Sequence, residues 1–210
     1  MAGMVVLSDD GTLVGGSGMV NDVGGAIRLD PDLGLMGAPG LTVGQFWSWA
    51  YSDILSNRNR AIFAEFLVGA ALSALDHPRV EWDAVDLRYR GRGIEVKASG
   101  YLQRWAQTRP STIRFDIAEK RPDNTVPGSA DTAPRHAADC FVFCLYTATT
   151  RARAVVTDLA DWLFYIVPTS SLPATRSLGL AALETLAEPV DYSGLRASVD
   201  AVIDGLEVVS

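Results

Sequence analysis

Residues 82–105 read WDAVDLRYRGRGIEVKASGYLQRW, and the fold turns on whether this stretch is an ordinary charged hairpin or a hairpin built to carry a site. Val85–Tyr89 and Ile94–Ala98 alternate in polarity, with Gly91 and Gly93 near the join, the pattern of two antiparallel strands and a tight turn. With a two-residue loop at Gly91–Arg92, Arg90 pairs with Gly93, Arg88 with Glu95 and Asp86 with Lys97. Successive strand side chains point to opposite faces. Asp86, Glu95 and Lys97 then share one face, while Val85, Leu87, Ile94 and Val96 face a core. A three-residue loop breaks the match. Asp83 competes for the first acidic position, because WDAVD offers two acids. In a strand unbroken back to Trp82 it has the wrong parity, and a bulge near Ala84 reopens the choice.

Two carboxylates and an amine on one face can serve phosphodiester hydrolysis. That reaction needs an activated water and stabilisation of charge on phosphorus and on the leaving oxygen, which one or two Mg²⁺ ions supply. Mg²⁺ takes hard oxygen ligands, often one or two carboxylates with several waters retained. Asp86 and Glu95 would be such a pair, with the Val96 carbonyl as a third ligand and Mn²⁺ as an alternative ion. Lys97 would orient or deprotonate the water, or neutralise the phosphate. The chain has 16 arginines and only two lysines, Lys97 and Lys120, so an amine in this slot is a marked choice. Arginine stays protonated and could not take its place in proton transfer. The bland alternative is an ion-paired cluster on a solvated hairpin.

Upstream, Thr42 and Gln45 form a capping-box pattern that opens a helix to about Leu55. Asn57 reads as the N-cap of a second helix, from about Arg58 to Leu75. In its segment AIFAEFLVGAALSA, Glu65 is the sole charge, and the rest is apolar or small almost all round, so the helix should be largely buried. A carboxylate there requires an arginine, a metal or water.

Helix Glu65, then Asp86, then Glu95-Val96-Lys97 resembles the PD-(D/E)XK nuclease superfamily, the restriction-endonuclease-like fold. The resemblance covers about Asn57 to Ala118, with weaker support to Val167. It implies a mixed sheet of about four strands with helices on both sides. It also implies that Asp86 and Glu95 are metal ligands, Lys97 the catalytic lysine and Glu65 an accessory acid reaching the metal directly or through water. Gln103 is similar to the glutamine that some branches place shortly after the lysine. No proline precedes Asp86 here, a departure from the full motif.

The remaining sequence sets the frame. Hydrophobic residues at 48% and charged residues at 20% fit a globular chain, and 210 residues are enough for one core. There is no run of about 18 apolar residues and no basic segment ahead of an apolar one at the start, so neither a membrane helix nor a signal peptide is expected, and the location is expected to be cytoplasmic. The net charge of −7 argues against a nucleic-acid partner, but its distribution does not. Residues 88–121 hold nine basic and three acidic side chains, a local +6, while the remainder sums to −13. Arg88, Arg90, Arg92 and Arg104 are therefore the expected nucleic-acid contacts, and the resemblance adds Gln103 to them, with DNA as the expected partner and a homodimer as one way to cut two strands. Trp82, Tyr89, Tyr101 and Trp105 interleave with these arginines, as stacking groups or as rim packing.

Ten of the 19 glycines fall in residues 1–41, read as a partly loop N-terminal segment without a phosphate-binding loop. Short strands are possible at Met4–Leu7 and Ala26–Leu29. Residues 42–210 are read as a single domain. It has further strands at Ser111–Ala118, Asp139–Ala148 and Trp162–Val167, with Val155–Val156 possible. A polar loop spans 121–137, and helices are expected at Leu178–Leu186 and Tyr192–Gly205. This order gives an α/β (α+β) class with a mixed sheet flanked by helices. His136, Cys140 and Cys144 are spaced four apart, but the set lacks a fourth ligand, and cysteines sharing a strand face are expected to be buried. Ser99, Ser111, His77 and His136 show no nucleophile–base pairing. The reading is a Mg²⁺-dependent nuclease, expected to be a DNA endonuclease of restriction or defence type. Against it stand an inactive binding module of the same fold and an unrelated structural or regulatory protein.

Overall fold

The structure is a computed structural model that describes residues 27–81, 83–119 and 136–207, with the short strand segments 6–7, 13–14 and 20–21. It divides into two compact units, Met1–Ser52 with His77–Arg79, and Asp53–Asp76 with Val80–Ser210.

In the first unit, β1 (Val6–Leu7) pairs with β2 (Leu13–Val14), and β3 (Val20–Asn21) pairs with β4 (Ile27–Arg28). Helix α1 spans Val43–Tyr51. Its capping box is complete: Gln45 N–H donates to Thr42 Oγ1 at 3.2 Å, and Thr42 N–H donates to Gln45 Oε1 at 2.9 Å. The helix ends four residues short of the expected Leu55.

The second unit opens with α2 (Asn57–Leu72). Its N-cap is Ser56, not Asn57, with Ser56 Oγ accepting from Asn59 N–H at 3.2 Å. Asn57 is freed to accept instead from the Arg60 guanidinium. Ser73 ends the helix in the left-handed region, φ 57°. Most of the helix is covered, although Phe66 is half exposed.

A four-stranded mixed sheet follows, in the order β5 (Leu87–Tyr89), β6 (Arg92–Gly100), β8 (Cys140–Tyr146), β9 (Trp162–Pro168). β5 is antiparallel to β6, β6 parallel to β8, and β8 antiparallel to β9. The chain therefore has the α/β class with a mixed sheet. β8 is buried along its whole length, CFVFCLY, as suits a central strand covered on both faces.

One face packs against α2 and against α4 (Tyr192–Glu207), through Ile94, Val96, Cys140, Val142, Cys144, Phe164 and Ile166. The other face is covered differently from the expected helix layer. There, β7 (Arg114–Asp116) and β10 (Ser177–Gly179) form an antiparallel ribbon, followed by a single-turn α3 (Leu180–Leu183). Phe115, Leu178 and Leu183 from these elements meet Phe141, Phe143 and Tyr165 of the sheet. No strand forms at Val155–Val156, because Trp162 of β9 already pairs with Tyr146 of β8. The loop expected at 121–137 lies almost wholly outside the described residues, as do Trp82 and Lys120.

The hairpin register differs by two residues from that expected. Leu87 pairs with Ile94, Arg88 with Gly93 and Tyr89 with Arg92, so the two-residue turn is Arg90–Gly91. Both turn residues have positive φ, 51° and 76°. This suits the primed hairpin turn, which wants glycine second rather than first. A two-residue shift keeps parity, so Glu95 and Lys97 still share a face. Val85 does not follow Leu87: the chain bends over residues 84–86, and Val85 joins the ribbon-side cluster.

Candidate functional site

The site begins where the β5–β6 ladder stops. β6 continues to Gly100, but among the described residues nothing pairs with that edge beyond Ile94. In a continued ladder, Val96 would face residue 85. The bend removes that backbone, and the Asp86 carboxylate replaces it: Val96 N–H donates to Asp86 Oδ2 at 2.7 Å. A strand residue directs its carbonyl to the same side as its N–H, so the Val96 carbonyl lies on this uncovered edge too.

Glu95 and Lys97 flank Val96 and point to the opposite face from it, beside Phe141 and Phe143 by register. Glu95 is buried at 6% exposure, and Lys97 Nζ donates to its Oε1 at 2.6 Å. Glu65 comes from α2, on the other face, and is also buried at 8%. The three acids converge electrostatically at Asp86. Burial pushes its carboxyl up to about 6; Glu95 adds to the rise, the Val96 N–H opposes it, Glu65 raises it further and Lys97 lowers it. Behind them Cys144 is fully buried, and its thiol is pushed up by burial and then by Asp86 and Glu65. The lysine amine therefore does not point unpartnered into the apolar interior.

No family model matches this chain, and no curated protein matches it.

Asp83, the rival acid, is turned outward. Its Oδ1 accepts from Ala84 N–H at 2.6 Å and from Arg88 at 3.5 Å. The other expected contact residues lie in pairs of their own. Arg90 bridges to Asp204 at 2.8 Å and Asp200 at 3.4 Å on α4, and Arg92 to Asp139 at 3.4 Å. Arg104 meets Asp53 at 2.7 Å. Gln103 is buried, and both ends of its amide are engaged: Oε1 accepts from Arg60 at 3.1 Å and Nε2 donates to the Gly100 carbonyl at 2.8 Å. It packs beneath the end of β6 and does not present its amide to a ligand. Tyr89 donates to Asp200 at 2.9 Å, Tyr101 packs on the ribbon-side core, and Trp105 is 58% exposed.

Cys140 and Cys144 are free and share the buried helix-facing side, whereas His136 stands edge-on to Phe141 of the other face. Among the described residues no group of three or more His, Cys, Asp or Glu is arranged to hold a metal by side chains alone. What the edge offers is two carboxylates, a strand carbonyl and a third acid behind them.

Arg60 is not among the residues expected at the site, yet it helps to build it. It is 2% exposed, donates to the Leu102 carbonyl at 3.0 Å and to Gln103, and its Nε has no partner among the described residues. Burial lowers its pKa. It fastens the helix that carries Glu65 to the chain leaving the strand that carries Glu95 and Lys97. The signal was present: Arg60 falls on the helical stripe of Ala64, Leu67, Val68 and Leu72, all buried.

Proposed function

We propose that this chain is a divalent-metal-dependent nuclease that hydrolyses nucleic-acid phosphodiester bonds, a PD-(D/E)XK-type DNA endonuclease of restriction or defence type acting in the cytoplasm. One observation carries the reading. Two carboxylates and one amine meet at the stretch of β6 left uncovered among the described residues, and a third acid, Glu65, lies near enough behind them to help raise the Asp86 carboxyl, which burial and Glu95 already push up to about 6. Carboxylate oxygens gathered in this way are the hard ligands that a cation such as Mg²⁺ takes.

The donor set fits Mg²⁺ or Mn²⁺. Asp86, Glu95 and the Val96 carbonyl would hold it, with Glu65 reaching it through water. When bound, the ion would polarise the phosphate and stabilise the leaving oxygen. The chain's own residues do the rest. The Val96 N–H fixes the Asp86 carboxylate at the strand edge. Lys97, anchored on Glu95, presents a compact charge to the phosphate and orients the attacking water. Arg60 fixes α2 against the strand end, and so sets Glu65 relative to Glu95. A homodimer would place one such edge at each strand of a duplex. Among the described residues no helix is long and apolar enough to cross a membrane.

The tight Lys97–Glu95 pair supports a second reading, an inactive nucleic-acid-binding module in which the cluster neutralises itself. Incubating labelled DNA with the protein in Mg²⁺ or in EDTA separates the two. Cutting that requires Mg²⁺ and disappears in Lys97→Ala, with DNA binding retained, supports the nuclease. Binding without any cutting by the wild type selects the second reading.

A further inference from the structure

Beyond Gly100 the chain makes a closed loop before β7. Ser111 N–H donates to the Tyr101 carbonyl at 2.9 Å, so the two ends of the loop meet. Gln107 braces the inside: Oε1 accepts from Gln103 N–H at 2.6 Å, and Nε2 donates to the Tyr101 carbonyl at 3.2 Å and to Ser111 Oγ at 2.9 Å. Arg151, from the 3-10 turn after β8, donates through one nitrogen to the carbonyls of Gln103, Arg104 and Trp105 at 2.9, 2.7 and 2.7 Å. A loop held at its base and from within is a rigid platform, and compact surface loops of this form are frequently functional.

Between this loop and residues 149–151 lies a cleft of about 250 Å³, walled chiefly by Thr108, Arg109, Thr149, Thr150 and Arg151. No carboxylate lines it. The Thr108, Thr149 and Thr150 hydroxyls and the Arg109 guanidinium make no hydrogen bond or ion pair among the described residues. In a chain of net charge −7, whose hairpin arginines all carry acidic partners, a donor-lined cleft without an acid is an exception. Arg153, on the same 3-10 turn, also lacks an ion pair among the described residues. Trp105 is not part of the cleft wall, but Arg151 of that wall holds the Trp105 carbonyl, and the indole is exposed.

Hydroxyl donors and a guanidinium suit phosphodiester oxygens, and an exposed indole suits the face of a base that has left its stack. We propose that this cleft seats an unpaired nucleotide of the nucleic-acid strand, with Arg109 and the threonines on its phosphate and Trp105 against its base. The inference rests on the nucleic-acid partner of the proposed function and adds where the strand lies. Leu102 of the cleft wall is five residues beyond Lys97, at most about 18 Å of extended chain, so the cleft stands within a few nucleotides' length of the acidic edge.

The test is fluorescence anisotropy in EDTA, using a labelled single-stranded oligonucleotide of mixed sequence and the matching duplex. Arg109→Ala should weaken single-strand binding about fivefold and reduce the slope of log K against log[salt] by about 0.7, the loss of one phosphate contact. Trp105→Ala should weaken it about tenfold with the slope unchanged. Arg114→Ala, an exposed arginine on β7, should stay within about twofold of wild type. All three positions are solvent-exposed, and a thermal melt confirms that each variant is folded. Arg109→Ala and Trp105→Ala both binding as wild type, or the duplex binding more tightly than the single strand, would overturn the proposal. The nuclease reading fails separately. A protein that binds through the cleft but cuts nothing in Mg²⁺ keeps the cleft and loses the nuclease. One that cuts while both variants bind normally keeps the nuclease and loses the cleft.

Discussion

Asp86→Asn should make the metal-free protein more stable at the expense of its activity. Burial and acidic neighbours raise the Asp86 carboxyl from 3.8 to about 6, so the fold disfavours its ionised form. At pH 8 the group is ionised in both the folded and the unfolded chain, and the full penalty applies, about 3 kcal/mol at 1.36 kcal/mol per pH unit. An amide carries no such charge, yet still offers an oxygen to the Val96 N–H. That bond becomes weaker when its acceptor is neutral, and the amide nitrogen needs a partner, together about 1 kcal/mol. The net gain at pH 8 is about 2 kcal/mol.

The pH dependence follows from the same shift. Between 3.8 and about 6 the folded state binds more protons than the unfolded one, so the wild-type contribution is greatest below 3.8 and is lost as pH rises through about 6. At pH 5 the wild type recovers about 1.4 kcal/mol of the penalty, and the advantage of the variant should fall below about 1 kcal/mol. Urea unfolding in EDTA at both pH values measures this. A variant less stable than wild type at pH 8 would refute the reasoning, because it would make the Asp86 charge a net support of the fold.

Three further outcomes are expected. Lys97→Ala and Lys97→Arg should each lower Mg²⁺-dependent cleavage at least about 100-fold, because a guanidinium keeps the charge without the proton-transfer chemistry; a gel assay on labelled DNA reads this, and near wild-type cutting by Lys97→Arg would assign the residue a charge-only role. Arg60→Ala should cost about 3 kcal/mol in urea unfolding, since it leaves a cavity and strips Leu102 and Gln103 of a donor; an unchanged midpoint would show that the buried guanidinium fastens nothing. Burial pushes the Cys140 thiol up to about 12 and Cys144 higher still, so neither should react with a thiol reagent at pH 8 until the protein unfolds.

The parts of this arrangement fixed by short-range rules were legible in the residues. The Thr42–Gln45 capping box depends only on a three-residue spacing, and the shared face of Glu95 and Lys97 only on the pleat. The mixed sheet followed from the order of helices and strands. The register was misplaced because the position of Gly91 in the turn depends on backbone handedness, and Val85 was misplaced because the bend at 84–86 has no signature in an alternating pattern. Asp86 reaches the edge through that bend, as a stand-in for missing backbone, not as a residue of an unbroken strand. The ribbon over the second face was hidden because β7 and β10 lie some sixty residues apart in the chain. The same distance concealed the arginine pairings: Arg90 meets Asp200 and Asp204 from more than a hundred residues away.

The central claim is that the uncovered edge of β6 binds a divalent ion through Asp86 and Glu95. Titrating Mn²⁺ into the protein and following free Mn²⁺ by electron paramagnetic resonance tests it without any substrate. The account predicts stoichiometric binding to the wild type that is lost in both Asp86→Asn and Glu95→Gln. No bound Mn²⁺ in the wild type, or equal binding by the two variants, would contradict it.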